Sequence, residues 1–268
     1  MGPGEIVRAH RVRRRLSQLE LAGAAGVSTR HLSYVETGRS RPGRAVLAAL
    51  ARALHLPPRG ANRLMRAAGE RPLRSECGLE APESEALRAA INRMLATHMP
   101  WPAIVTDHAW NPVRANPAAD AMMSRLAEAG EPPPPSGNLL EWLFAPAGLR
   151  PLVANWSAVG PFLLDRVRQE SVSHPELDEL AARLEALAPD AATAPQIHER
   201  DVVVPLHFIV EGRNVRLFSI VAGFGSALDA QIADLRIEYF FPEDDDTREW
   251  LEGAVHRAAG GLSYPPHV

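Results

Sequence analysis

Lysine is absent: all 29 side chains of the lysine and arginine class are arginine, a usage that reads as the mark of GC-rich coding rather than of physical design. Cysteine occurs once, as Cys77. One thiol excludes an intramolecular disulfide and any cysteine-based zinc site, and it suits a reducing compartment. No window reaches the roughly 18 apolar residues that span a bilayer, and the N-terminal arginines have no apolar stretch behind them. A soluble, cytoplasmic chain without membrane partners is therefore expected. The signatures of catalysis are missing too. The nearest approach to a nucleophile elbow, GFGSA at 223–227, has its serine misplaced, and the same glycines fail the dinucleotide pattern. His174, His198 and His207 lack the spacing of metal ligands. No catalytic residue, metal or cofactor is assigned, and the chain is read as a non-enzyme.

Net charge is also scarce, at -3, but this small value conceals a division. Residues 1–72 carry 14 arginines against 4 acidic side chains, a net of +10, and residues 73–268 carry 15 against 28, a net of -13. A compact basic segment is the electrostatic footprint of a nucleic-acid binder, whereas phosphate repels the acidic remainder. At 268 residues the chain suits two domains. The expected boundaries are 1–72 for a DNA-binding domain, 73–90 for a linker and the start of a helix, and 91–268 for a second domain.

Within the basic part, LSQLELAGAAGVSTRHLSYVETGRSRP (16–42) carries local helix signals. Ser17 and Glu20 form a capping box, so a helix is expected from Gln18. Gly26 supplies a left-handed stop, and Ser28 caps a second helix that Gly38 ends. Leu32 and Val35 share an inward stripe, which leaves Thr29, Arg30, Ser33 and Tyr34 outward. The small residues Ala22, Ala24, Ala25 and Gly26 are expected to let two helices cross closely. Gln18, Thr29 and Arg30 stand at helix starts, where side chains meet phosphates and base edges, and Arg39 and Arg41 follow.

These residues resemble the Cro/C1-type (XRE) repressor helix-turn-helix, and RAVLAALARALHLPPRGANRLMRAAGERP extends the likeness through the fourth and fifth helices of an all-α, lambda-repressor-like domain. The resemblance implies contact with a double-stranded DNA operator through Gln18, Ser28, Thr29, Arg30, Ser33 and Tyr34, with Arg39 and Arg41 alongside.

Beyond residue 73 the pattern changes. A helix is expected near 83–97, then strand, turn at Asp107–Ala109, strand, and a helix capped by Asn116 with Pro117 at its first position. EPPPPSG (131–137) reads as a loop and 138–188 as mainly helical. VVVPLHFIV (202–210), VRLFSIVAGF (215–224) and LRIEYFF (235–241) read as strands, with a hairpin turn at EGRN. Leu235, Ile237, Tyr239 and Phe241 alternate with polar Arg236 and Glu238 before the pattern breaks at Phe240. His207 reads as a hydrogen-bonded strand residue, and EDDD (243–246) as a solvated turn or helix start. The whole is an α+β domain with an antiparallel sheet.

HMPWPAIVTDHAWNPVRANPAA, NLLEWLF, LVANW and LRIEYFFPEDDDTREWLE resemble the ligand-binding domain of MmyB-like transcription regulators, which implies a PAS-like fold and an apolar, fatty-acid-like effector. Phe162, Phe208, Phe218 and Tyr239 are the candidate ligand contacts. The alternative is a dimerisation or protein-interaction module in which these aromatics are core. One helix-turn-helix reads only a few base pairs, so a homodimer on a pseudo-palindromic operator is expected.

Overall fold

The computed structural model describes residues 2–193, 204–224 and 229–259. His198, most of GFGSA and the start of VVVPLHFIV lie outside the described residues. The chain divides into two units: Met1–Glu85 with Gln169–Glu176 and Phe224–Asp234, and the remainder.

Five helices build the first unit: α1 (Pro3–Arg13), α2 (Gln18–Ala25), α3 (Thr29–Glu36), α4 (Arg44–Ala53) and α5 (Pro58–Ala67). Their apolar stripes meet in a core that includes Val7, Leu21, Leu32, Leu47, Leu50 and Leu64, all with essentially no exposed surface. The capping box is formed reciprocally: Glu20 N–H donates to Ser17 Oγ at 3.2 Å, and Ser17 N–H to Glu20 Oε2 at 2.7 Å. Gly26 stops α2 at φ 68°, and Ser28 Oγ accepts from His31 N–H. A further close approach lies outside the small-residue run. Ala22 is buried, but Ala24 is exposed, and a methyl group on Gly23 or Gly26 would meet nothing within 4 Å. The tight approach is between α1 and α3, where a methyl on Gly4 would run into the backbone carbonyl of Val35.

The segment after α5 is tied down rather than free. Buried Asn62 uses its whole amide on it: Oδ1 accepts from Leu73 and Arg74 N–H, and Nδ2 donates to Arg74 O and Glu76 Oε1, all within 2.9 Å. Residues 224–234 belong to the same unit. Asp229 accepts from Cys77 N–H at 2.7 Å, Ala230 N–H donates to Ser75 O at 2.7 Å, and Asp234 pairs with Arg59 at 2.9 Å.

In the second unit α6 (Glu85–Thr97) precedes β1 (Ala103–Thr106), β2 (Pro112–Ala115) and α7 (Pro117–Ala129). Then come α8 (Leu139–Phe144), α9 (Trp156–Ser171, whose last residues belong to the first unit), α10 (Leu177–Leu187) and α11 (Pro189–Thr193). The chain returns through β3 (Leu206–Val210) and β4 (Arg213–Gly223), passes α12 (Ala230–Ala233) in the first unit, and closes with β5 (Arg236–Pro242) and α13 (Asp245–Ala259). The strands form one antiparallel sheet in the order β2-β1-β5-β4-β3. Together the units are an all-α helix-turn-helix domain and an α+β domain.

Several expectations are met in detail. Glu211 and Gly212 both adopt positive φ, the requirement of a tight hairpin turn. Asn116 caps α7 and also reaches the carbonyls of Leu95 and Trp101, locking α6, β1 and α7 together. His207 lies on the edge strand β3, where its N–H donates to Asn155 Oδ1 and its carbonyl accepts from Ala154 N–H. Asp244 accepts from Thr247 N–H at the start of α13.

Candidate functional site

Two surfaces carry the chemistry, one in each unit. The first is the outer side of α3. Leu32 and Val35 are buried there, and Arg30 is exposed with Thr29, Ser33 and Tyr34 half-buried around it. The Arg30 side chain lies along Tyr34: Nε donates to the phenolic oxygen at 3.2 Å and the guanidinium stands 5.5 Å from the ring centre. This pairing of residues one turn apart holds the guanidinium extended along the helix. Arg39 and Arg41 follow, exposed, after Gly38 at φ 72°. Ser28 is exposed, with its hydroxyl committed to the cap.

Gln18 has a different engagement from the other seven. Its amide nitrogen donates to Glu36 Oε2 at 2.8 Å, and Arg11 donates to both Glu36 oxygens at 2.6 and 2.8 Å. One buried carboxylate therefore joins α1, α2 and α3. Burial alone would push the Glu36 carboxyl up, but hydrogen bonds from Arg11 and Gln18 and the charges of Arg11 and Arg8 hold it below the ordinary range. The Arg11–Glu36–Gln18 cluster escaped the sequence reading because its members lie 18 and 25 residues apart.

The second surface is internal. A cavity of about 140 Å³ lies between the sheet and helices α7, α8 and α9. Four strands supply its floor through alternate side chains: Ile104 from β1, Glu238 and Phe240 from β5, Leu217 and Ser219 from β4, and Leu206 and Phe208 from β3. The helices supply Met122, Leu126, Leu140, Trp142, Phe162 and Arg166, and the β1–β2 turn supplies Trp110.

Of the four aromatic candidates Phe162 lies on α9, and the other three are sorted by the face of the sheet they occupy. Phe162 and Phe208 line the cavity, whereas Phe218 and Tyr239 lie on the opposite face of the sheet. Phe218 stacks on Phe241 with ring centres 5.1 Å apart, and Tyr239 meets His98, just after α6, edge-on at 4.9 Å. Both faces of β5 are thus covered, and Ile237 on the Tyr239 face is buried. Arg236, Glu238 and Phe240 turn to the cavity side, because the Tyr239 face has its own partner in α6. The polar interruption in LRIEYFF was the available signal: a glutamate inside an apolar strand marks either the wet face or a functional interior.

The sequence model of the MmyB-like transcription regulator ligand binding domain matches residues 87–253, and that of a helix-turn-helix domain matches residues 4–64. No curated protein matches the chain. Among the described residues no helix is long and apolar enough to cross a membrane. The first match covers more than half of the chain and encloses every described wall of the cavity, and the second encloses α2 and α3. The chain belongs to the MmyB-like transcription regulators, DNA-binding proteins in which a helix-turn-helix domain precedes a ligand-binding domain.

Proposed function

We propose that this regulator reads its operator through the outer side of α3 and adjusts that reading to a small apolar effector held in the cavity. The cavity carries the proposal: a partly open, largely apolar space in a domain of the ligand-binding class. Arg30 reads a base edge, and Thr29, Ser33 and Tyr34 contribute contacts beside it. Arg39 and Arg41 hold phosphates and fix the register. Gln18 acts first as a strut for α3 through Glu36. The domain division at residues 72 and 91 follows the two roles, and no catalytic step is assigned to either part.

Size narrows the effector. An apolar cavity of roughly 150 Å³ takes a benzene-sized molecule, and drug-sized ligands need about 300 Å³ or more. A space of this size favours a compact effector, and an extended acyl chain would have to run out through its open side. The route from cavity to DNA is covalent. β4 carries Ser219 and β5 carries Glu238, and the segment joining these strands, 224–234, belongs to the helix-turn-helix unit through Asp234–Arg59 and Asp229–Cys77.

Two heads are needed for useful specificity, so the working form is a homodimer on a pseudo-palindromic duplex, with the acidic domain in contact because the basic heads repel. Binding-site selection with the full chain, followed by titration of the selected duplex with and without small apolar compounds, tests the reading. At least one cavity binder should shift DNA affinity tenfold. If every cavity binder left that affinity unchanged, the domain would be a dimerisation module. Sedimentation of a strictly monomeric chain, free and on DNA, would overturn the dimer.

A further inference from the structure

The wall of the cavity is apolar except for Arg166, contributed by a helix, and one pair on the sheet. Ser219 and Glu238 stand side by side on it, and the Ser219 hydroxyl donates to Glu238 Oε1 over 2.6 Å. Protein surrounds Glu238 on nearly every side, yet it keeps accessible surface because that surface faces the cavity. Packing alone does not select glutamate there. Ile104, its partner across β1, and Phe240, two residues on, show what the same wall takes when only packing matters. The charge is offset nearby: Arg166 reaches the same wall, and Arg166 and Arg236 lie over the Trp110 ring at 5.5 and 5.4 Å from its centre. Burial still drives the Glu238 carboxyl up from its ordinary value, against the Ser219 hydrogen bond and the two guanidinium charges.

We infer that the cavity takes a compact, ring-sized apolar molecule presenting one hydrogen-bond donor, a hydroxyl or an amine, to the Glu238–Ser219 pair. The inference rests on the cavity being the effector site. The donor requirement follows from the lone pairs. The Ser219 hydroxyl donates its hydrogen bond to Glu238, so the remaining lone pairs of Ser219 Oγ and of the Glu238 carboxylate offer acceptor sites to a ligand. An anionic ligand seated at this pair would set its carboxylate against Glu238, and like charges at close range repel. The ring size follows from the volume of about 140 Å³.

Cyclohexyl compounds isolate these features, since they share one ring and do not absorb with tryptophan. The full chain is titrated with cyclohexanol, cyclohexylamine, methylcyclohexane, cyclohexanecarboxylate and octanoate, following the emission of Trp110 and Trp142 in the wall and confirming by calorimetry. Cyclohexanol and cyclohexylamine should bind about ten- to a hundredfold more tightly than methylcyclohexane, the span expected of a hydrogen bond to a charged group. Both carboxylates should bind more weakly than either. Glu238→Leu should erase the preference while keeping methylcyclohexane binding, and Ser219→Ala should weaken cyclohexanol severalfold. Equal binding of methylcyclohexane and cyclohexanol, or tightest binding of a carboxylate, would overturn the donor inference and leave the cavity as effector site. Failure of every probe to bind would overturn both. The ranking in the unmutated chain decides the matter even where Glu238→Leu does not fold.

Discussion

Glu36 and Glu238 are both held inside protein, and the two halves of the molecule treat them in opposite ways. Glu36 accepts hydrogen bonds from Arg11 and Gln18, its carboxyl is held below the usual range, and nothing else is asked of it. Glu238 has one hydroxyl partner and a cavity in front of it, and burial raises its carboxyl. A fully bonded buried carboxylate makes three helices into one rigid reading head; an under-bonded one leaves interaction capacity for a ligand. The same side chain therefore distinguishes a scaffold from a sensor by the number of donors built around it.

The sharpest way to break this contrast is to remove each carboxylate. Glu36→Ala leaves the Arg11 guanidinium, whose side chain is only 13% exposed, without its partner. Loss of one member of a buried pair costs about 3–5 kcal/mol. Urea unfolding followed by circular dichroism should show that loss in the helix-turn-helix unit, and DNA binding should fall with it. Glu238→Leu should cost far less, or stabilise, because it replaces a desolvated charge with an apolar wall. Comparable losses in the two variants would show that Glu238 is as structural as Glu36.

Arg30→Ala is the next largest effect. Loss of a bidentate base contact should weaken the best duplex by about 1–3 kcal/mol and relax one position of the selected motif. Arg41→Ala should weaken all duplexes alike and flatten the salt dependence of binding. An unchanged motif for Arg30→Ala would move Arg30 into the phosphate-contact class.

Acidification sharpens the comparison with smaller slopes, at most about 1.4 kcal/mol per pH unit for each group. Burial, with the charges of Arg63, Arg13 and Arg14, lowers the pKa of His10 from 6.5 to about 4. The folded state then keeps His10 neutral while the unfolded chain takes up a proton, so the helix-turn-helix unit loses stability as pH falls from 6.5 towards 4. Glu238 has the opposite sign. Its raised pKa means that the folded state binds the proton first, and the ligand-binding unit gains stability as pH falls through that value. All five tryptophans lie beyond residue 100, so their fluorescence reports the second unit and helical circular dichroism reports both. As pH is lowered towards the ordinary carboxylate value of 4.5, the tryptophan transition should shift to higher urea relative to the helical one, and Glu238→Gln should remove the gain. Transitions moving together in the parent would sink the opposed signs.

The sequence made the two halves legible to different depths for the same reason. Signals that act within four residues were readable: the Ser17–Glu20 box, Gly26, the Ser28 cap and the Leu32–Val35 stripe all stand where their spacing put them. Gly4 was not, because its reason is the Val35 carbonyl 31 positions away, and the Arg11–Glu36–Gln18 cluster was hidden likewise. In the second unit the strands were readable as apolar runs, but not which face they buried. Period-two alternation assigns a face only when the other is wet, and in β5 the Tyr239 side meets His98 while the Glu238 side meets the cavity. Phe162, Phe208, Phe218 and Tyr239 were all singled out for being aromatic, a ground that carries no information about which of them line the cavity.

Three glycines of the reading head test the local signals against the distant ones, down to a change of sign. Gly4→Ala sets a methyl against the Val35 carbonyl, where backbone of two helices must separate, and should cost at least as much as the overpacking of a core, about 1–3 kcal/mol. At Gly26 the space is open, so Gly26→Ala is penalised only for φ 68°, about 1 kcal/mol. Gly23 lies inside α2 with nothing within 4 Å, so Gly23→Ala should stabilise by roughly 0.5–1 kcal/mol through helix propensity alone. The three free energies, measured by urea unfolding of the full chain through its helical signal, should therefore fall in the order Gly4, Gly26, Gly23, with a change of sign at the last. If Gly26→Ala cost more than Gly4→Ala, the tight helix crossing would lie in the small-residue run of α2 after all, and the approach of α1 to α3 would be the looser of the two.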